Sequence, residues 1–490
     1  MLTPTLEEAQ KLSEYGVIPI KREIFADIKT PIEVLKILRG VSRHVYILES
    51  VEDREKWGRY TFLGYNPALE ISCLNGELTV KNIQTGEVTR QNTAHPANYI
   101  SDLMREYTSP KLKGFPSFTG GLVGYFGYDY IKYNEPRLKL DAPDEENFKD
   151  VDLMLFDKVI AFDNVQQKII LITNISTKNI VEEYKKAEWD LDEMTNLIRH
   201  GKPAEIPPAK LKSEFRPLFT KERFCEMVER AKHYIFEGDI FQVVLSNRLD
   251  ADFEGSLLDV YRVLRTTNPS PYMFYFSSDD MEVAGASPET LVKLEDGILH
   301  TFPIAGSRPR GRNEAEDAKF EAELHTDEKE LSEHNMLVDL GRNDLGRISK
   351  FGSVEVEKYM QILKFSHIMH ICSTVRGEIR SGLTALDAVN SVLPAGTLSG
   401  APKIRACEII NELEQNKRGI YGGAVGYIGF SGSLDTCIGI RLCYKKNGRV
   451  FVRSGGGIVA DSVPETEYME SVNKAKAVVV ALEAAQREDL

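Results

Sequence analysis

Three dipeptides, Asn75-Gly76, Asp296-Gly297 and Asn447-Gly448, each stand between apolar runs in this chain of 490 residues. Asn-Gly and Asp-Gly readily supply the two positive-φ positions of a tight hairpin, so each pair folds its flanking runs back as neighbouring strands. Thr85-Gly86 marks a further turn in the same β-rich stretch. Strands are predicted at 17–25, 44–50, 153–162, 168–173, 239–249, 365–375, 421–430, 434–442 and 449–458, and 268–276 reads as a loop then a strand. Helices are predicted at 4–15, at 31–40 behind a Thr30 cap and Pro31, at 97–107, at 181–198, from a Thr220 cap to 237, at 257–265, and from Pro402 onward. The glycine- and aromatic-rich run 118–130 is expected to let backbones approach closely. No period of 20 to 50 residues is present, which excludes a solenoid.

Two acidic segments stand out. Residues 326–344 read T-D-E-K-E-L-S-E-H-N-M-L-V-D-L-G-R-N-D, with Leu331, Met336, Leu337, Val338 and Leu340 spaced for a mostly buried helix. Asp327 and Glu328 fall in its first turn, where the helix dipole favours negative charge. Glu330 and Glu333 project from one face and offer oxygen ligands to a hard cation such as magnesium. Taken alone, such a pair is more often a solvated acidic face. Near the C-terminus Pro464 opens a second acidic helix, with Glu467 and Glu470 again on one face. Just before it, Gly455, Gly456 and Gly457 read either as backbone brought close to an anion or as a flexible turn.

The net charge of −13 argues against non-specific nucleic-acid binding. Six scattered cysteines without C-x-x-C spacing suit reduced thiols in a cytoplasmic protein. No apolar run reaches membrane length, and the acidic start does not suit a signal or transit peptide. The proline-rich stretch 200–217 reads as a linker, dividing an N-terminal domain (1–199) from a catalytic domain (218–490).

Across 220–485 the motifs D-I-F-Q-V-V-L-S, P-I-A-G-S-R-P-R-G, K-E-L-S-E-H-N-M-L-V-D-L-G-R-N-D, G-T-L-S-G-A-P-K, Y-G-G-A-V-G-Y, L-D-T-C-I-G-I-R and the glycine triplet follow in order. Together they resemble the chorismate-utilising enzymes, and most closely their anthranilate synthase large-subunit branch. Residues 15–165 resemble that branch's N-terminal part more loosely. The resemblance implies an α+β fold of stacked antiparallel β-sheets, a β-sandwich core flanked by helices. It implies that chorismate and ammonia become anthranilate and pyruvate with Mg2+. By motif position Glu333 and Glu470 match the metal ligands, Glu330 the proposed general acid, and His370 the histidine linked to pyruvate elimination. Gly306, Ser307, Tyr421, Arg441, Gly455, Gly456 and Gly457 match the substrate cradle, and Thr397 and Lys403 lie in a motif that lines the site.

Relatives that make aminodeoxychorismate carry a lysine where Ala305 stands, and those that add water carry one where Gln242 stands. Neither alanine nor glutamine can act as a nucleophile or activate water, which suits an enzyme that adds ammonia. Ser307 departs from a commoner threonine and keeps the hydroxyl. Glu49 and Ser50, with Pro271, Tyr272 and Met273, match a feedback site for L-tryptophan. The chain has no glutaminase nucleophile in suitable surroundings; the resemblance implies a glutamine amidotransferase subunit as partner, in a hetero-oligomer such as a heterotetramer. An aminodeoxychorismate synthase and a non-catalytic tryptophan sensor of the same fold are the alternatives.

Overall fold

The computed structural model describes residues 2–50, 58–364 and 368–487. Two large antiparallel sheets lie face to face. The first runs in the order Val17–Phe25, Lys168–Ser176, Lys158–Asp163, Tyr60–Tyr65, Val45–Glu49, Tyr272–Ser277, Glu282–Ser287, Leu442–Lys446, Arg449–Ile458, Gln242–Glu254 and Lys210–Leu211. The second runs Ile304–Pro309, Ile368–Glu378, Ile298–Thr301, Thr290–Glu295, Leu434–Ile438, Ala424–Gly429, Gly121–Phe126, Val151–Phe156, Leu69–Leu74, Glu77–Asn82 and Val88–Asn92. Between the sheets lies an aromatic layer that includes Tyr46, Phe62, Phe118, Tyr125, Phe156, Phe274, Tyr427 and Phe451. The outer face of the first sheet is covered by the helices Pro31–Val41, Ile180–His200, Leu258–Thr267 and Pro464–Ala484. The helices Pro96–Glu106, Glu328–Gly346 and Ala385–Val392 cover the second.

Both sheets draw strands from either side of the 200–217 stretch. Val45–Glu49 pairs with Tyr272–Ser277 in the first, and Gly121–Phe126 with Ala424–Gly429 in the second. Within 200–217, Lys210–Leu211 and Arg216–Pro217 both pair with Gln242–Glu254.

Local signals place the elements where their chemistry predicts. Thr30 Oγ1 accepts from Glu33 N at 3.2 Å and Thr220 Oγ1 from Arg223 N at 3.3 Å, so both threonines cap their helices. Asn75 and Gly76, at φ 49 and 87, turn the hairpin between Leu69–Leu74 and Glu77–Asn82. Gly121 and Gly124 carry the close approach expected of the 118–130 run. A Cβ on Gly124 would lie 2.1 Å from the Asp152 carbonyl oxygen of the neighbouring strand.

Three expectations change. The run 153–162 is two strands, Val151–Phe156 and Lys158–Asp163, which belong to different sheets and are joined at Asp157. Likewise 434–442 splits into Leu434–Ile438 and Leu442–Lys446, one in each sheet. Continuous apolar runs hide such crossings, because strands buried on both faces show no alternation. The third change concerns 326–344. Its helix spans Glu328–Gly346, is capped by Asp327, and buries one face through His334, Leu337, Val338, Asp344 and Leu345. The remainder is half-buried or exposed, because the helix lies over the second sheet and not within the core. His367, within the predicted strand 365–375, lies outside the described residues.

Gly124→Ala is expected to cost about 3 kcal/mol in chemical denaturation, since the added carbon overpacks a paired strand. At Gly86 (φ 74) no atom lies within 4 Å of an added Cβ. Gly86→Ala should therefore cost only about 1 kcal/mol, the left-handed backbone penalty.

Candidate active site

Two acidic helices from different parts of the chain approach one stretch of strand. Gly455, Gly456 and Gly457 lie inside Arg449–Ile458, paired with Ser246, Leu245 and Val244. They form strand interior and not a flexible turn. A Cβ on Gly456 would meet Glu467 Oε2 at 3.3 Å and Glu470 Oε1 at 3.5 Å. One on Gly457 would fall 2.2 Å from Gln242 Nε2. That amide donates in turn to Glu333 Oε1 at 3.4 Å. Glu333, Gln242, the glycine backbone and Glu470 thus form a chain of contacts from helix to helix. Lys329, on the first helix, acts electrostatically on Glu467 of the second as well as on Glu330.

These carboxylates press on one another. Burial raises the pKa of Glu330, and the neighbouring Glu333 and Asp327 raise it further, against Arg308 and Lys329. Burial also raises Glu467, with Glu470 adding to it. Glu470 is itself paired to Lys474 Nζ at 2.6 Å, and the same ammonium donates to Gly455 O at 3.1 Å. Like charges facing one another across an oxygen-only donor set suit a hard dication, which would relieve the repulsion. Glu333 and Glu470 are the residues that would hold it.

Other acidic trios are compact without needing an ion. Ligand atoms of His44, Glu70 and Asp279, and of Glu70, Asp152 and Asp280, lie within 4.8 Å of one another. Lys149 Nζ already sits 3.2 Å from Glu70, 3.2 Å from Asp152 and 3.1 Å from Asp280, so a lysine occupies the place of a cation.

His370 stands on Ile368–Glu378 with Nδ1 2.9 Å from Gly306 O. A carbonyl only accepts, so Nδ1 carries the proton and the basic lone pair is on Nε2. Burial lowers the ring's pKa and Arg441 lowers it further, so the imidazole is neutral near pH 7. Gly306, at φ 64, has Glu330 Oε2 3.2 Å from where a Cβ would stand. The backbone of Ser307 is paired opposite His370. Arg441 sits at φ 52 where the chain passes between sheets. Its half-buried guanidinium has no carboxylate within salt-bridge reach among the described residues, and burial lowers its pKa. A desolvated, unpaired guanidinium is prepared for an anion. Tyr421 is buried nearby in the fold, with Arg418 over its ring at 5.7 Å.

The G-T-L-S-G-A-P-K motif divides. Thr397 Oγ1 donates to Glu289 Oε1 at 3.0 Å. Lys403 turns away, its ammonium held by Asp344 at 2.8 and 3.0 Å and by Val392 O at 2.9 Å, so it braces the end of the acidic helix.

Glu289 was not singled out by sequence reasoning. Burial pushes its carboxyl up to about 7, against Thr397 and Lys474. Lys474 therefore connects it to Glu470 and the glycine strand. A lone carboxylate between two apolar strands, in A-S-P-E-T-L-V, was the available signal. Glu467 was seen as a helix-face residue, but its place against Gly456 needed coordinates.

Glu49, Ser50, Pro271, Tyr272 and Met273 line a cavity of about 620 Å³ between the sheets. Met273 stands opposite Glu49 across the paired strands. Tyr272 donates its hydroxyl to Asp435 Oδ1 at 2.8 Å. Glu49 is already bound by Arg265, through Nε at 2.6 Å and Nη2 at 3.1 Å, and by the Tyr261 hydroxyl.

The chorismate binding enzyme family matches residues 44–480. Anthranilate synthase component 1 of Acinetobacter calcoaceticus is 45% identical, over 99% of this chain and 98% of its own length. That of Aquifex aeolicus (strain VF5) is 45% identical over 99% of each chain. The crystal structure of anthranilate synthase component I from Streptococcus pneumoniae TIGR4 matches with a TM-score of 0.77 at 38% identity, over 93% of this chain and 98% of that one. The menaquinone-specific isochorismate synthase from Escherichia coli, at 16% identity and a TM-score of 0.70 over 98% and 99% of the two chains, shares the fold. The protein is thus one of the chorismate-utilising enzymes and, among them, belongs to the anthranilate synthase component I group.

Proposed function

We propose that this chain converts chorismate and ammonia to anthranilate and pyruvate, the ammonia coming from glutamine through a partner amidotransferase subunit. The observation that carries the reading is the approach of Glu467 and Glu470 directly, and of Glu333 through Gln242, to the Gly455–Gly457 backbone. Chorismate bears two carboxylates. Arg441 and the glycine amides suit one of them. For the other, Glu333 and Glu470 would hold magnesium, which when bound would supply Lewis-acid stabilisation.

Ammonia's lone pair bonds to ring carbon 2, both conjugated ring double bonds shift by one position, to C1=C6 and C4=C5, and the C4–O bond breaks. The departing hydroxyl takes a proton and leaves as water, while the new C–N centre sheds one. The proton comes from a carboxyl that is protonated near neutrality. Glu289, raised to about 7 and hydrogen-bonded by Thr397, fits this better than Glu330, whose position beside Glu333 exposes it to a cation's opposing pull. His370 then takes the proton from carbon 2 through Nε2 as the C3–O bond breaks. The enolpyruvyl group leaves and is protonated to pyruvate.

The cavity of about 620 Å³ suits tryptophan, with Met273 and Tyr272 for an indole and Glu49 and Ser50 for the α-amino group. An incoming ammonium would share Glu49 with Arg265. By bridging Val45–Glu49 and Tyr272–Ser277, tryptophan favours an arrangement of the two halves that binds chorismate poorly, and so competes with it.

Purified chain with chorismate, magnesium and ammonium should form fluorescent anthranilate; no product under these conditions would refute the reading. Glutamine should replace ammonium only when the partner is added. The rate should fall at low pH as His370 protonates, below its ordinary 6.5, and fall again as Glu289 ionises near 7. Glu289→Gln should lower kcat by about 10²–10⁴-fold and abolish the alkaline limb. If Glu330→Gln does this and Glu289→Gln does not, the acid is Glu330. Ser50→Phe should leave the uninhibited rate within about twofold and weaken tryptophan inhibition at least about tenfold, the effect of losing about 1.4 kcal/mol of binding. Inhibition equal to the parent's would place the inhibitor elsewhere.

A further inference from the structure

Beneath the glycine strand lies a buried charge network that the reaction, as described, does not use. Glu414, 1% exposed, accepts from Arg418 Nε at 2.9 Å and Nη2 at 2.5 Å, and from Arg453 Nη2 at 2.7 Å. It also accepts from Ser246 N at 2.8 Å and Oγ at 2.9 Å. Arg453 Nε donates to the same Ser246 hydroxyl at 2.8 Å, two residues before Gly455.

Arg418 does more than pair with Glu414. Its Nη1 donates to Leu398 O at 2.6 Å and its Nη2 to Val244 O at 2.7 Å. Leu398 directly follows Thr397, which holds Glu289. Val244 lies two residues beyond Gln242 and pairs with Gly457. The guanidinium plane rests 4.6 Å from the Tyr128 ring and 5.7 Å from the Tyr421 ring. One rigid fork thus spans the turn that carries Thr397 and the strand that carries Gln242, with Tyr421 against it. A lysine in this place, with a point charge and no fork, could not hold both carbonyls and the carboxylate in fixed geometry.

We propose that Arg418 is a positioning residue for the substrate cradle, setting the spacing between Thr397 and Gln242 through the Leu398 and Val244 carbonyls while Glu414 fixes its orientation. This rests on the reaction proposed above. Loss of the fork lets two walls of the cradle separate, and misplacement of about 1 Å is enough to cost roughly 10²-fold in rate. The effect is specific to the ring-binding site. Ammonia is too small to sense the spacing in the same way, and the 620 Å³ cavity lies against other strands.

The test compares the parent with Arg418→Met and Arg418→Lys, using ammonium as nitrogen source. Arg418→Met should raise the chorismate KM at least about tenfold and lower kcat/KM about 10²-fold, with the ammonium KM and tryptophan affinity within about twofold of the parent. Arg418→Lys, which keeps the charge and one carbonyl contact, should fall between. Variants that melt earlier but keep both KM values and kcat would show a purely structural role and overturn the proposal. Should Arg418→Met not fold, Arg418→Lys alone decides, and an unchanged chorismate KM there overturns it. A parent that makes no anthranilate would instead refute the reaction itself.

Discussion

The site depends on one pairing, that of Gly455, Gly456 and Gly457 with Ser246, Leu245 and Val244 near one edge of the first sheet. Side chains at these positions would collide with the Leu245 carbonyl, with the Gln242 amide, or crowd the carboxylates of Glu467 and Glu470. Their absence lets a helix be laid across a strand with Glu467 and Glu470 close to the glycine backbone. A second helix, capped by Asp327, brings Glu333 to Gln242 beside this strand and Glu330 to Gly306. Negative charge is thus concentrated beside the glycine backbone, and the Arg441 guanidinium has no carboxylate within salt-bridge reach among the described residues.

The two sheets explain how distant segments meet. The chain crosses between them at Asp157 and again at 439–441, so neighbours in sequence diverge and the two halves of the chain merge through Val45–Glu49 and Gly121–Phe126. The same merging builds the cavity of about 620 Å³. Glu49 from the first half and Met273 from the second stand opposite each other in one ladder, so a ligand there touches both halves at once.

What was legible in sequence was what local chemistry decides. Thr30 and Thr220 cap helices because a hydroxyl and a free amide are three residues apart, and Asn75-Gly76 turns because both residues accept positive φ. The motif resemblance brought Glu333, Glu470, His370 and Arg441 forward together, and their neighbours in the structure connect them. What was not legible depends on tertiary surroundings. Lys403 lies in a site motif, yet its ammonium is consumed by Asp344. Glu289 looks like a loop residue until burial and Thr397 are known. The sheet crossings are invisible because a run buried on both faces has no polar side to mark a change of direction.

The central claim is that Glu333 and Glu470 act on one shared cation. A double-mutant cycle tests it most directly, with the magnesium concentration for half-maximal anthranilate formation measured in the parent, Glu333→Gln, Glu470→Gln and the double variant. Ligands of one ion are coupled, so the double variant should need little more magnesium than the worse single variant. Shifts that simply multiply would mean the two glutamates act independently, and would contradict the account.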